Sequence, residues 1–249
     1  MILEALNYGA SWPLTPATFR PHVSSSVRLW ARARRCAKHW AAHEAQSKAH
    51  MLAALKELKQ RRTAVVLGSG LLRDVPIREL IAAFDTVVLV DLVHLASIRA
   101  WAALNGKKKL RLISRDLSGL DVARTGQMPE PLSFLRQVPY LDFVVSANLL
   151  SQIGVGARRV LEAERRDADA ILPLMIRAHL EGLAALPCKS CIVTDVDYEM
   201  RNRQGDLLEQ GDLLAGVAPP KAVSTWEWTV VPFGEMSRDS IAVHRVIAA

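Results

Sequence analysis

The sequence predicts an α/β fold: a seven-stranded, mostly parallel sheet with a C-terminal antiparallel hairpin, preceded by an N-terminal helical extension. Three observations predict it. From Thr63 onward, short β-branched runs alternate with segments of helical spacing, the pattern of strands joined by crossover helices. The last two strand-like runs, "STWEWTVVPFGE" and "DSIAVHRVIAA", are joined only by "GEMSRD", short enough for an antiparallel hairpin. Before Thr63, "VRLWARARRCAKHWAAHEAQSKAHMLAALKELK" has no Gly or Pro and is rich in Ala, Leu, Lys and Arg, so it should be helical. The chain therefore divides into a basic helical arm, 1–62, and a body, 63–249.

The elements follow in order. Residues 1–22 hold Pro13, Pro16 and Pro21 and read as an irregular lead-in. Ser24, Ser25 and Ser26 offer N-caps for a helix from about Val27, broken once near His43. "TAVVLGSG" is a strand ending in a glycine turn, and "DVPIRELIAAF" a helix with Pro76 in its first turn. "DTVVLVDL", "KLRLISRDL", "LDFVVSANLLSQI" and "KSCIVTDVDYEM" supply four more strands. "VHLASIRAWAAL" is a helix with His94 in its first turn, and "RRVLEAERRDADAILPLMIRAHLEGLAAL" a long helical region with Pro173 inside.

Half of the 249 residues are hydrophobic, enough to bury a sizeable core. No apolar run reaches the ~18 residues needed to span a bilayer, and the first residues lack a signal-peptide pattern. No membrane partner is expected, and a reducing cytoplasmic location is. Of three cysteines, Cys188 and Cys191 form one CxxC. With no second CxxC, both read as structural. The formal charge of +7 is uneven: the arm has eleven Lys/Arg against Glu4, Glu44 and Glu57, which is +8, leaving −1 for the body. Such an arm is either the solvated face of amphipathic helices or a guide for an anionic partner.

The stretch "VVLGSGLLRDVP" carries the chemistry. Gly68 and Gly70 let the backbone turn tightly beside a ligand, and the following helix aims its N-terminus at it. Asp91 ends the second strand, 21 residues after Gly70, where a carboxylate can accept both hydroxyls of a ribose. In a G-x-G-x-x-G dinucleotide loop the third glycine would stand at Arg73, and the adjacent Asp74 would repel a pyrophosphate. Asp74 suits a ligand with an ammonium group, as S-adenosyl-L-methionine has. Asp116, ending the third strand, can accept from an adenine amine.

These segments resemble, in order, the four motifs of the class I S-adenosylmethionine-dependent methyltransferases, which have a Rossmann-like fold: "VVLGSGLLRD", "VVLVDL", "LISRDL" and "DFVVSANLLSQI". The resemblance covers about Arg62 to Ala249. It implies that Gly68, Ser69 and Gly70 form the cofactor loop, that Asp91 and Leu92 hold the ribose side, and that Asp116 and Leu117 hold the adenine side. It also implies that Asn148 faces both methyl donor and acceptor. Two positions depart from the family: Val66 stands where an acid precedes the first glycine by two, and Leu72 replaces the third glycine.

Catalytic candidates are Asn148 and Gln152, which can orient an acceptor, and Asp195, which can act as base or hold a cation. Ser151 and Tyr198 lie at the same sheet ends. Cys36, Trp40, His43, Ser47 and His50 recur at helical spacing and share one face, so Trp40 and His43 are candidate acceptor contacts. His39 and His43 are spaced for a metal, but no acidic third ligand accompanies them, so no metal is expected. Trp226 and Trp228 share a strand face. The Asn/Asp-Pro-Pro-aromatic run of amino-methylating nucleic-acid enzymes is absent. The sequence thus reads as a methyltransferase for a small-molecule acceptor, the arm serving as lid. The alternatives are an RNA methyltransferase gripping phosphates with the arm, or a non-catalytic nucleoside-binding module.

Overall fold

In the computed structural model, which describes residues 2–249, the strands are β1 Thr63–Leu67, β2 Thr86–Asp91, β3 Leu110–Ser114, β4 Leu141–Ala147, β5 Lys189–Asn202, β6 Leu207–Asp212, β7 Ser224–Val231 and β8 Ser240–Ala248. They form one sheet in the order β3-β2-β1-β4-β5-β8-β7, with β6 paired to β5 off this path. The first five pair in parallel, while β8 runs antiparallel between β5 and β7. The parallel strands therefore end together, at Leu67, Asp91, Ser114, Ala147 and Val193, and every loop with a motif leaves from this edge. The central strand β1, "TAVVL", is buried along its whole length, as expected of a strand covered on both faces.

The helices are α1 Ile2–Ser11, α2 Val23–Arg35, α3 Ala37–Lys56, α4 Ile77–Ala83, α5 Ala96–Asn105, α6 Leu120–Ala123, α7 Leu150–Ala163 and α8 Ala168–Ala184. One face of the sheet packs against α2, α3, α4 and α5. There Val23, Val27, Met51 and Leu55 of the arm share a core with Ala64, Val66, Leu89 and Phe143. The other face packs against α6, α7 and α8 through Leu150, Leu161, Leu172 and Ile176.

Five sequence expectations are corrected. The lead-in is not irregular from its start: α1 precedes the prolines. Its buried side is polar, with Ser11 Oγ accepting from Ala96 N at 2.8 Å and so capping α5, which hydrophobic patterning does not register. Helix α2 starts at Val23, so Ser25 and Ser26 lie inside its first turns, where their hydroxyls donate back to the His22 carbonyl. The break in the arm falls at Cys36, not near His43. Cys36 leaves helical geometry (φ −89°, ψ 11°), and the bend keeps Ala33, Cys36 and Trp40 in one buried cluster. An eighth strand, β6, extends the sheet. Its residues "LLEQGD" are mostly exposed, so no apolar alternation marks it. The region 158–186 splits into α7 and α8: Arg165 takes φ +54°, and Asp167 caps α8 by accepting from the backbone N–H of Asp169 and Ala170. Replacing that cap, Asp167→Ala, is expected to cost about 1 kcal/mol in urea unfolding.

Candidate functional site

The glycine loop is fixed by the end of β2. Gly68 N and Ser69 N both donate to Val90 O, at 2.9 and 3.3 Å. Asp91 grips the loop from the side, Oδ2 accepting from Gly70 N and Oδ1 from Leu92 N, each at 2.7 Å. Burial raises the Asp91 carboxyl above its ordinary range despite these bonds. Gly68 (φ +71°) is required twice over: a Cβ there would stand 2.7 Å from Leu149 Cβ and 3.0 Å from Ala147 O. Leu72, where the family has its third glycine, keeps the glycine-like conformation at φ +59°. The departure is thus one of side chain, not of backbone, and costs about 1–2 kcal/mol of local strain.

Asp74 points from this loop into a buried row of polar groups. The Asn148 side-chain Nδ2 lies 3.0 Å from Asp74 Oδ2 and 2.7 Å from His43 Nε2, and Trp226 Nε1 donates to His43 Nδ1 at 3.1 Å. A tryptophan N–H only donates, so neutral His43 carries its proton on Nε2. The row is then satisfied with the Asn148 oxygen turned toward His43, and with a proton on Asp74, whose carboxyl burial pushes up. Asn148 itself is held at φ +46°, its N–H donating to Val193 O at 2.8 Å. Burial lowers His43 to about 4. Its ring stacks on Trp228 at 3.9 Å and 8°, and Trp40 meets Trp228 edge-on at 5.2 Å while donating to Val230 O. The helical stripe that the sequence marked therefore faces the body, with Cys36, Trp40, His43 and Ser47 all buried.

On the far side of Trp228 stands His244, edge-on at 6.1 Å. Its Nδ1 lies 2.5 Å from Asp195 Oδ2, while Ser151 Oγ donates to Asp195 Oδ1. Burial by itself would raise the Asp195 carboxyl, but the His244 hydrogen bond and charge, with the Ser151 bond, outweigh it and leave the carboxyl lowered. Sequence reasoning missed His244. Its signal was alternation: Ala242, His244 and Val246 share a face of β8, and His244 pairs with Trp228 across the strands.

Other candidates stand apart. The Asp116 carboxylate is exposed and closed into its own turn, accepting from Ser118 N at 2.8 Å and Ser118 Oγ at 3.0 Å, while Leu117 is buried in the α6–α8 core. Gln152 is exposed. Tyr198 donates to Glu209 on β6 and lies 5.7 Å from the His244 ring. His94 precedes α5 rather than opening it, buried, with Nε2 3.1 Å from Ile113 O. All three cysteines are free, and burial holds Cys188 at about 11 and Cys191 at about 12, so both stay protonated thiols. Among the described residues, no group of His, Cys, Asp or Glu is arranged to hold a metal, and no helix is long and apolar enough to cross a membrane.

No family model and no curated protein matches the chain. Among solved structures it is similar to the N-methyltransferase NodS from Bradyrhizobium japonicum WM9 in complex with S-adenosyl-L-homocysteine, at 11% identity over 84% of this chain and 87% of that one, with a TM-score of 0.40. It is also similar to a SAM-dependent methyltransferase from Aquifex aeolicus (12% identity, 78% and 88% coverage, TM-score 0.33) and to DhpI in complex with SAH (15%, 87% and 93%, 0.34). Likeness at this level says nothing of substrate. The chain's own sheet order, its glycine turn after β1, the acid ending β2 and the antiparallel β8 give it the Rossmann-like fold of the class I methyltransferases.

Proposed function

We propose that the protein is an S-adenosylmethionine-dependent methyltransferase for a small-molecule acceptor, with α1–α3 as lid. One observation carries this reading: the loop gripped by Asp91 opens at the same sheet edge as a wall of His43, Trp228 and His244. The residues present fit the cofactor. Ser69 Oγ is buried without a partner, as is one end of the Asn148 amide, so polar groups on both sides of the loop are free for a ligand. When bound, the cofactor supplies an electrophilic methyl group on a sulfonium.

The chain's residues then divide the work. Gly68, Ser69 and Gly70 cradle the amino-acid end, and the ammonium beside Asp74 draws off its proton, leaving a carboxylate to face it. Asp91 takes the ribose hydroxyls, Leu92 lines the nucleoside, and Asp116 reaches the adenine amine only if it leaves its turn with Ser118, while Leu117 stays in the core. Trp40 and His43 hold the lid against Trp228, and Asn148 orients the acceptor, with Gln152 and Tyr198 at the rim. Both Asp195 oxygens are engaged, so Asp195 is the positioning residue rather than the base. By accepting from His244 Nδ1 it leaves the Nε2 lone pair to take the acceptor's proton, and Ser151 holds Asp195 in place.

Calorimetry with S-adenosylmethionine and S-adenosylhomocysteine tests the cofactor. Transfer of labelled methyl groups, offered a metabolite pool and total RNA in parallel, tests the acceptor. Saturable cofactor binding and a labelled small product are expected. His244→Gln is expected to lower turnover about a hundredfold or more with cofactor affinity unchanged. Label in RNA alone, with binding that weakens steeply with salt, would overturn the small-molecule acceptor. No cofactor binding would overturn the whole reading.

A further inference from the structure

Adjacent residues of the loop take different partners: Asp74 meets Asn148 at the sheet edge, while Arg73 Nε donates to Glu44 Oε1 of α3 at 2.6 Å. Beside Arg73, between α2, α3, α4 and α5, lies a cavity of about 460 Å³. None of Gly68, Gly70, Asp91 and Asn148 lines it.

Its lining is specific in kind. Leu72 and Ile98 give it apolar surface, and Trp30 and Trp101 also line it. Each indole carries a guanidinium: Arg34 lies 4.8 Å from the Trp30 ring centre and Arg78 5.9 Å from that of Trp101. Lys48 also lines the cavity. Arg73 is neutralised by Glu44, but Arg34, Lys48 and Arg78 make no ion pair with any described residue, and the only acid in the lining is Glu79. Lys48 acts on Asp74 and Glu79 offsets one charge, which still leaves the lining net positive and favours a bound anion. Flat indoles beside apolar surface favour a flat apolar body. This also gives a use to part of the positive charge that the sequence concentrates in the arm.

We propose that this cavity binds a small planar aromatic anion, its ring between Trp30 and Trp101 and its anionic group on Arg34, Lys48 and Arg78. The site is separate from the cofactor loop, and it stands or falls independently of the methyltransferase reading.

The probe is 2-naphthoate, with neutral 2-naphthamide as its isostere, followed by calorimetry and tryptophan quenching on the full chain. Saturable 2-naphthoate binding is expected, with 2-naphthamide about tenfold weaker or worse and affinity falling as salt rises. Arg78→Gln and Lys48→Gln, both outside the core, are each expected to raise the 2-naphthoate Kd about fivefold or more, with an unchanged melting temperature. Saturating S-adenosylhomocysteine is expected to leave the Kd unchanged. Equal binding of acid and amide, no saturation below about 1 mM, or indifference of both cation variants overturns the site. Displacement of 2-naphthoate by S-adenosylhomocysteine also overturns it, because the probe then occupies the cofactor loop. Binding of 2-naphthoate by a protein that takes no S-adenosylmethionine upholds this site while removing the methyltransferase reading.

Discussion

Asp91→Ala is expected to weaken S-adenosylmethionine binding by two orders of magnitude or more. Two hydroxyl bonds to a charged acceptor are worth about 1.5–3 kcal/mol each, and about 1.4 kcal/mol is a factor of ten. The variant also leaves the N–H groups of Gly70 and Leu92 without their acceptor, so the loop that should meet the ligand is no longer held. Stability should change far less than affinity. The carboxyl is buried and raised, so its removal relieves a desolvated charge while it costs two backbone bonds. Calorimetry measures the affinity, and thermal unfolding of the same sample measures the stability. A cofactor Kd within twofold of the parent's would show that the ribose does not lie on Asp91.

Acid sensitivity is the second large effect. His43 and His179 are both buried, and burial lowers each from 6.5 to about 4. A histidine whose folded pKa is depressed binds its proton more readily in the unfolded chain. Its contribution is therefore fully present above pH 6.5 and is lost as the pH falls toward 4. At pH 4 the loss is about 3 kcal/mol for each, so about 6 kcal/mol together, comparable to the whole stability of many domains. The raised carboxyls of Asp74 and Asp91 act in the opposite sense, because their native forms take up protons first. Comparing variants isolates the histidine share. Among the described residues, the only side-chain hydrogen bond of His179 is between Nε2 and Ser146 Oγ, at 2.9 Å, and methionine fills a similar buried volume, so His179→Met should keep the fold. In urea unfolding at pH 7 and pH 4, the drop in stability on acidification should be about 3 kcal/mol smaller in His179→Met than in the parent. An equal drop in both would show that His179 does not titrate as a buried neutral ring.

How far the sequence could be read depended on the range of the forces involved. The β1 loop, Asp91 and the parallel strands themselves were legible, because β-branched runs, glycine turns and strand-end acids are local signals. The buried arm stripe was legible too, because helical spacing places Trp40, His43 and Ser47 on one face. Helix α1 and strand β6 were not, since a buried face made of Asn7 and Ser11, or a strand of exposed residues, leaves no hydrophobic period. The His244–Asp195 pair was out of reach for a different reason: its partners are 49 residues apart and meet only through antiparallel pairing of β5 with β8.

By itself, then, the sequence determined the fold class, the glycine turn and the acid that faces it, because these depend on backbone conformation and on patterns within a few residues. The tertiary structure alone decided that Leu72 keeps a glycine's conformation and that Arg73 and Asp74 take different partners, Glu44 and Asn148. It also decided that Asp195 is engaged by His244 and Ser151. Each of these is settled by contacts between elements distant in the chain, where burial and hydrogen-bond pairing outweigh what the residue would do in its local segment.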